Sequence, residues 1–261
     1  MKATAPLLCA HNVRVAVGTR VLIDDLSFEL ARGDVCCVLG PNGSGKSTLL
    51  HTLAGLRPPQ AGTVAFEGRP WSAWRPREAA KRRGLLLQHT SYAFSATVTE
   101  TVMLGRHPHI GRFGRAGESD RRCLRSALTA MDLEAFAARD VLTLSGGERQ
   151  RAAVATLLAQ DPALLMLDEP AAHLDLVHQI ALFRHLEVLA RAHDRAVVVA
   201  THDYNLAARF ATHACLLYGD GRAVTGRAAE MLQADVLSEL FDVPLACYPA
   251  AHGGGVLVPQ W

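Results

Sequence analysis

The chain has 261 residues and a mass of 28.1 kDa, enough for one α/β domain or two small ones with a substantial core. Hydrophobic residues make up 49% of it and charged residues 20%, close to the globular average, which excludes the disordered, collagen-like and disulfide-scaffold classes. A net charge of +2 is too small for electrostatic binding of nucleic acid, so we expect no nucleic-acid partner. No segment approaches the ~18 uninterrupted apolar residues of a membrane span, and the N-terminal stretch lacks the apolar region of a signal peptide. We therefore expect the chain to stay in the cytosol.

Alternating apolar and polar residues over the first thirty positions predict antiparallel strands. The continuous apolar run at 34–39 predicts a strand that is buried on both faces of a parallel sheet. Cys36 and Cys37 lie in this run, and we interpret them as reduced structural residues. Shorter patterns predict helices at 46–56 and 77–83 and strands at 63–66 and 85–87.

From position 97 to about 141, strand patterns disappear and helical spacing dominates, which we interpret as a helical insertion. Beyond it the predicted elements alternate, with helices at 146–159, 176–193 and 204–211 and strands at 163–167, 196–200 and 214–218. This alternation predicts an α/β fold with a mainly parallel sheet. The last forty residues carry short helical patterns and a glycine-rich, apolar tail to which we assign no role.

A glycine-rich motif follows the first buried strand and precedes a predicted helix, the context of a phosphate-binding loop. It fits the pattern GxxxxGK[ST] and comprises Gly40, Pro41, Asn42, Gly43, Ser44, Gly45, Lys46, Ser47 and Thr48. Gly43 and Gly45 allow the backbone to wrap a phosphate, and the helix N-terminus adds the positive end of its dipole. Lys46 suits the β- and γ-phosphates of a nucleotide, and the Ser47 hydroxyl suits Mg²⁺.

Two carboxylates, Asp168 and Glu169, follow a short apolar run. A buried strand would deliver both to the end of the sheet where ligands of open α/β sheets bind. There Asp168 suits holding Mg²⁺ and Glu169 suits polarising an attacking water. Without the phosphate loop, the same pattern would equally fit a strand that ends in a solvated turn.

A second anion site is predicted at the start of the helix at 146–159. Ser145 is a good N-cap for that helix, and Gly146 and Gly147 expose backbone amides at its positive end. A capped helix with flexible glycines is the alternative. One phosphate loop and a second anion site in the same chain suggest that two copies face each other across the nucleotide.

Two polar residues after predicted strands carry weaker signals. His202 follows the strand at 196–200 and suits contact with a γ-phosphate. Gln88 follows the strand at 85–87, and its amide suits Mg²⁺ or water. Each is also consistent with a structural or surface position, so both assignments depend on the neighbouring motifs.

Together these motifs resemble those of ABC-transporter ATPases, over nearly the whole chain. The resemblance identifies 40–48 as Walker A, Gln88 as the Q-loop, Ser145 as part of the signature, Asp168 and Glu169 as Walker B, Asp175 as part of the D-loop and His202 as the H-loop. It implies a P-loop NTPase-type fold in one domain. The RecA-like core would comprise residues 1–96 and 142–240 and would include the antiparallel N-terminal strands. A helical subdomain at 97–141 and a tail at 241–261 complete the implied organisation.

The resemblance also implies a substrate, a cofactor and site roles. ATP would be hydrolysed with Mg²⁺, which Ser47, Gln88 and Asp168 would hold. Glu169, His202 and Gln88 would be catalytic. The nucleotide would contact the phosphate loop together with Ser145, Gly146, Gly147 and Asp175.

Segments after the Q-loop and after Walker B look like the ATPase subunits of importers for iron-siderophore, haem and vitamin B12. This likeness implies a homodimer at the cytoplasmic face of the cell membrane, beneath two integral-membrane permease subunits. A substrate-binding protein would deliver the cargo to these permeases. Within the group, the sequence at 111–114 resembles ferric-siderophore members most, so an iron-siderophore cargo is expected, with haem or cobalamin as alternatives.

Two positions depart from the family pattern. The adenine-stacking aromatic expected near Ala16 or Val17 is missing, which predicts aliphatic contact with the base. The segment that leads to Asp175 lacks the usual hydroxyl residues, which removes their contacts across a dimer interface.

A soluble ABC ATPase of DNA maintenance is the alternative from another class. Such proteins carry very long coiled-coil insertions, whereas here Ser145 lies only 99 positions after Lys46 and no heptads are sustained. A regulatory ATP-binding module without turnover is disfavoured because both Glu169 and His202 are present.

Overall fold

The computed structural model describes residues 6–111, 114–249 and 255–260. Positions 112 and 113 of the segment at 111–114, and part of the predicted tail, lie outside the described residues. The strands are β1 Leu8–Val17, β2 Arg20–Leu30, β3 Val35–Leu39, β4 Ala61–Phe66, β5 Arg69–Pro70, β6 Arg83–Leu86, β7 Leu164–Asp168, β8 Ala196–Ala200, β9 His213–Leu217, β10 Ala223–Arg227, β11 Leu245–Pro249 and β12 Gly255–Pro259. The α-helices are α1 Lys46–Leu53, α2 Pro76–Arg82, α3 Val98–Met103, α4 Glu118–Ala130, α5 Gly146–Gln160, α6 Leu176–His193, α7 Tyr204–Phe210, α8 Ala228–Met231 and α9 Ala234–Phe241.

The principal sheet has six strands in the order β10-β9-β3-β8-β7-β6. All neighbouring strands in it are parallel except β10, which pairs antiparallel with β9. A second, antiparallel sheet has the order β2-β1-β4-β5. The predicted combination of a mainly parallel sheet with antiparallel N-terminal strands is therefore confirmed.

Every residue of β3 is buried, because helices cover one face of the principal sheet while α1 and the antiparallel sheet cover the other. Cys37 joins the core cluster on the helical side, and Cys36 joins the cluster between the sheets. Burial raises the pKa of the Cys37 thiol to about 12, so this thiol stays protonated. The predicted structural role of both cysteines is confirmed.

Helices α3, α4 and α5 pack together beside the principal sheet. A buried ion pair joins Arg106 Nε, just after α3, to Asp120 Oδ1 on α4 at 2.8 Å. The same guanidinium donates to the carbonyl of Ala159, near the end of α5, at 2.9 Å. This contact connects the helical segment that the sequence predicted to α5, the helix that Ser145 caps.

Several predicted boundaries differ from the structure. The helix predicted at 46–56 ends at Leu53, because Gly55 turns the chain with a left-handed φ of 63°. The strand predicted at 85–87 ends at Leu86, so Gln88 lies in the following loop. The tail, in which no strand was predicted, contains the antiparallel pair β11–β12. Asn205 of α7 fixes it by bonding both the N–H and the carbonyl of Leu257.

Candidate nucleotide-binding site

The phosphate loop connects the central strand β3 to α1 and depends on three glycines. Gly40, Gly43 and Gly45 have φ values of 155°, 76° and 105°, a region that residues with a Cβ rarely adopt. A Cβ on Gly40 would also collide with the Leu217 carbonyl and with the Ser44 hydroxyl. These conformations bring the chain directly from a buried strand into the N-terminus of a helix, where phosphate is favoured.

Lys46 is the first residue of α1, and its side chain folds back over the loop. Its Nζ donates hydrogen bonds to the carbonyls of Gly40 at 2.8 Å and Pro41 at 3.2 Å. Burial lowers the pKa of Lys46, while the carboxylates of Glu169 and Asp168 oppose that shift. The Lys46 ammonium group therefore lies between the phosphate loop and both Walker B acids.

A cavity of about 190 Å³ opens beside this loop. It is lined by Leu22, Asn42, Gly43, Gly45, Lys46, Ser47, Thr48, Gln88, Asp168 and Glu169. The loop also contains the Ser44 hydroxyl, which is buried and has no hydrogen-bond partner among the described residues. An unpaired hydroxyl donor beside the Lys46 ammonium suits the binding of nucleotide phosphates. The oxygen atoms of Ser47, Gln88 and Asp168 suit Mg²⁺, which prefers oxygen ligands.

The Walker B acids lie where β7 ends. Asp168 is the last residue of β7, and the N–H of Glu169 donates to the Ala200 carbonyl of the neighbouring strand at 2.9 Å. Glu169 has a left-handed φ of 50°, which is uncommon for a residue with a side chain and often accompanies function. The turn aims its carboxylate at His202, whose Nδ1 lies 2.7 Å from Glu169 Oε2.

The residues of the predicted second anion site, Ser145, Gly146 and Gly147, do not line the cavity beside the phosphate loop. Ser145 caps α5 by accepting a hydrogen bond from the N–H of Glu148, and the Glu148 carboxylate accepts one from the N–H of Ser145. Ser145 and Gly146 are exposed, and Gly147 approaches the carbonyl of His173. Among the described residues that line the cavity, none belongs to the signature at 145–147.

Asp175 and His202 also lie outside the cavity lining. Asp175 is the N-cap of α6 and accepts from the N–H of His178 at 2.9 Å. His202 connects to the cavity through its hydrogen bond with Glu169, and its own side chain is 73% exposed. The structure thus brings the phosphate loop, Gln88 and both acids together, and it leaves the signature and the D-loop apart.

Two contributions at the site were not predicted. Leu22 of β2 lines the cavity. An apolar residue in an alternating strand gives no signal of its own, because its role depends on where the sheet lies. Gln150 of α5 donates to the Pro170 carbonyl at 3.1 Å, which links the signature helix to the turn after Glu169.

Comparison with known proteins agrees with this geometry. The family model for ABC transporters matches residues 23–172. The hemin import ATP-binding protein HmuV of Streptomyces coelicolor is 41% identical over 97% of this chain and 89% of its own. The iron(3+)-hydroxamate import ATP-binding protein FhuC of Bacillus subtilis is 35% identical over 90% and 88%.

Among solved structures, a metal-chelate type ABC transporter in an inward-facing conformation matches with a TM-score of 0.85 and 29% identity. The match covers 98% of each chain. None of the described helices of the present chain has the length and apolar character needed to cross a membrane. The sequence motifs, the placement of the phosphate loop, Gln88 and both Walker B acids around one cavity, and these similarities show that the chain belongs to the ABC transporter family, as an ATP-binding subunit.

Proposed function

We propose that this chain is the ATP-hydrolysing subunit of an importer for an iron chelate, and that it works as a homodimer. The observation that carries the proposal is that the predicted nucleotide-binding residues lie in two separate places on the chain. One cavity holds the phosphate loop, Gln88 and both Walker B acids, while the signature that begins at Ser145 lies outside it. A second copy in head-to-tail orientation would supply Ser145, Gly146 and Gly147 to this cavity.

The residues of the cavity suggest distinct roles. The phosphate loop and Lys46 bind the phosphates, which carry negative charge in both ground and transition states. Ser47, Gln88 and Asp168 would hold Mg²⁺, which neutralises phosphate charge when it is bound. Glu169 accepts a proton from the attacking water.

His202 is a positioning residue in this scheme. Its hydrogen bond to Glu169 Oε2 restrains that carboxylate, and its exposed face remains available to the γ-phosphate side of the cavity. Asp175 fixes the start of α6 and would contribute to the interface between the copies. A RecA-like core at 1–96 and 142–240, a helical subdomain at 97–141 and a tail at 241–261 remain our proposed domain division.

The homodimer would sit at the cytoplasmic face of the cell membrane, against two permease subunits that receive cargo from a substrate-binding protein. The segment from Gln88 to about Arg106 is the proposed docking surface for the permeases. Phe94 in this segment is 84% exposed. Tyr92, in the same segment, packs against the core with its hydroxyl buried, so of these two aromatic side chains only Phe94 is presented to solvent.

Two cargoes are supported by different observations. The sequence pattern favours a ferric siderophore, and the hydroxamate import protein of Bacillus subtilis supports it at 35% identity. The hemin import protein of Streptomyces coelicolor supports haem at 41% identity over most of both chains. Both cargoes are iron chelates, which is the substrate class that we propose, with cobalamin as the alternative cargo.

Reconstitution tests the proposal. The chain would be assembled in proteoliposomes with the permease pair encoded beside its gene and with the matching binding protein. Uptake of haem, ferric hydroxamate and cobalamin would be followed with and without ATP. We expect ATP-dependent uptake of one iron chelate and none in a Glu169→Gln transporter. ATP-dependent uptake of cobalamin alone would overturn the cargo class, and absence of ATP hydrolysis by the wild-type assembly would overturn the ATPase assignment.

A further inference from the structure

Three metal-ligating side chains converge on the antiparallel sheet. Cys9 Sγ, an imidazole nitrogen of His11 and a carboxylate oxygen of Glu29 all lie within 4.8 Å of one another. Across positions 6–111, 114–249 and 255–260, no other group of three His, Cys, Asp or Glu ligand atoms is so compact. None of the three lines the nucleotide cavity.

The strand register holds the three residues on one face. Cys9 is directly opposite Glu29 in the β1–β2 ladder, so their Cβ atoms are roughly 5 Å apart. His11 follows Cys9 by two positions, which places both on the same side of β1. Leu8 and Ala10, on the opposite side, are fully buried in the core between the sheets. The Cys9–His11–Glu29 face is therefore the outer face of the sheet.

The backbone around this face is fixed on both sides. β1 lies between β2 and β4, with Cys9 paired to Ala65 and His11 to Thr63. The β1–β2 register shifts just after Ala10, and such a bulge re-aims the neighbouring side chains. Because the strand positions are set by the sheet, only side-chain torsions have to be ordered when a ligand binds.

No competing interaction occupies these side chains. Among the described residues, no hydrogen bond or ion pair involves the side chain of Cys9, His11 or Glu29, whereas several other surface acids pair with arginine, as Glu118 does with Arg125. Cys9 is 8% exposed, while His11 and Glu29 are exposed. A cation can therefore approach from solvent through the two exposed ligands and reach the sheltered sulfur.

We propose that Cys9, His11 and Glu29 form a binding site for a divalent transition metal of the zinc class. Sulfur, imidazole and carboxylate ligands together suit Zn²⁺ and discriminate against Mg²⁺. Bond lengths of about 2.0–2.3 Å in a tetrahedral site put ligand atoms roughly 3.3–3.8 Å apart, which is reached from the present separations by side-chain rotation. Water completes the fourth position, and the Cys9 thiol releases its proton to solvent on binding.

The metal would link the first two strands of the antiparallel sheet. Leu22, which lines the nucleotide cavity, lies on the same strand as Glu29. A metal that binds only the folded chain raises its stability by mass action. We therefore expect zinc to raise the melting temperature of the protein.

Cobalt titration of the full chain, without an affinity tag and after treatment with chelator, tests the site. We expect a thiolate-to-cobalt absorption band that saturates at one equivalent, is displaced by Zn²⁺ and is insensitive to excess Mg²⁺. Cys9→Ser should lose the band, and the matched control Cys247→Ser, which changes an exposed thiol elsewhere, should keep it. His11→Ala and Glu29→Gln should each weaken binding by about tenfold or more.

Circular dichroism and thermal melting of each variant show whether it is folded. If Cys9→Ser fails to fold, the exposed positions His11 and Glu29 decide the question. Absence of the band in the wild type, or unchanged cobalt affinity in both His11→Ala and Glu29→Gln, would overturn the site. Survival of the band in a folded Cys9→Ser protein would do the same.

Discussion

Glu169 combines a strained backbone, a nearly buried carboxylate and a histidine partner. Its left-handed φ of 50° is maintained by the bond from its own N–H to the Ala200 carbonyl. A position of this kind is stable only because the surrounding sheet over-determines it. The carboxylate is thus presented to the cavity in one orientation, which is what positioning a water requires.

Glu169→Gln should preserve nucleotide binding and stop turnover, because a neutral amide does not accept a proton from water. Loss of ~2–4 kcal/mol of transition-state stabilisation corresponds to a fall in kcat of roughly 30- to 1000-fold. Steady-state phosphate release measures it, and size-exclusion chromatography with ATP should show a longer-lived dimer than the wild type. Hydrolysis close to the wild-type rate would contradict the role of Glu169.

Lys46→Ala should weaken nucleotide binding itself, since the ammonium faces phosphates that are charged before the reaction begins. Charge-assisted hydrogen bonds of about 1.5–3 kcal/mol predict a loss of affinity of roughly 10- to 100-fold. Titration with a fluorescent ATP analogue measures this loss. Lys81→Ala, which changes a surface lysine paired with Glu78, is the matched control and should bind normally. Equal affinities for the two variants would show that the loop is not the phosphate site.

At the scale of elements, the helical segment depends on the ion pair between Arg106 and Asp120. Asp120→Asn would leave the buried Arg106 charge without its carboxylate, which should lower the free energy of unfolding by about 3 kcal/mol. Urea unfolding at neutral pH measures it. Glu118→Gln, which breaks the exposed pair with Arg125 on the same helix, should change nothing measurable.

The same pair predicts a pH dependence. The side-chain hydrogen bond from Arg106 and the N–H of Gly117 hold the pKa of Asp120 below its ordinary value. A carboxyl with a depressed folded pKa stabilises the fold fully above its unfolded pKa of about 3.9 and loses that contribution as pH falls through the folded value. The difference between wild type and Asp120→Asn should therefore shrink below about pH 4. A difference that stays constant to lower pH would contradict the assignment.

The loop after β6 carries the proposed permease contact. Phe94→Ala should uncouple transport from ATP hydrolysis in proteoliposomes while the unfolding of the isolated subunit stays unchanged, because the ring is exposed. Leu56→Ala, another exposed apolar residue, serves as the control and should leave coupling intact. Tyr92→Ala should instead lower stability, since Tyr92 packs against the core. Normal coupling in Phe94→Ala would exclude this docking surface.

At the scale of the whole molecule, the separation of Ser145 from the cavity predicts shared active sites. A dimer with Lys46→Ala in one chain and Ser145→Arg in its partner should place both lesions in one composite site. The other site stays intact and should still close on ATP. A dimer with both lesions in the same chain damages both sites and should fail to close. Chromatography of differently tagged chains with ATP measures closure, and equal behaviour of the two dimers would exclude the head-to-tail arrangement.

The sequence by itself determined the features that depend on neighbouring residues. The phosphate loop was predictable because its glycines, lysine and hydroxyls are contiguous and their conformations are set within a few bonds. The apolar runs predicted β3, β7 and β8, since a strand buried on both faces requires apolar residues throughout. Acids and a histidine immediately after such strands were predictable for the same local reason.

Tertiary structure alone decided which distant residues meet. The bond between His202 and Glu169, the position of Leu22 in the cavity and the placement of Ser145 outside it each join or separate elements remote in sequence. The strand β10 forms by pairing with β9, and β11 and β12 form by pairing with each other, so their short sequences gave no local signal. A sequence pattern reports the burial and backbone of its own segment, whereas the register of strands and the docking of helices determine which side chains share a site.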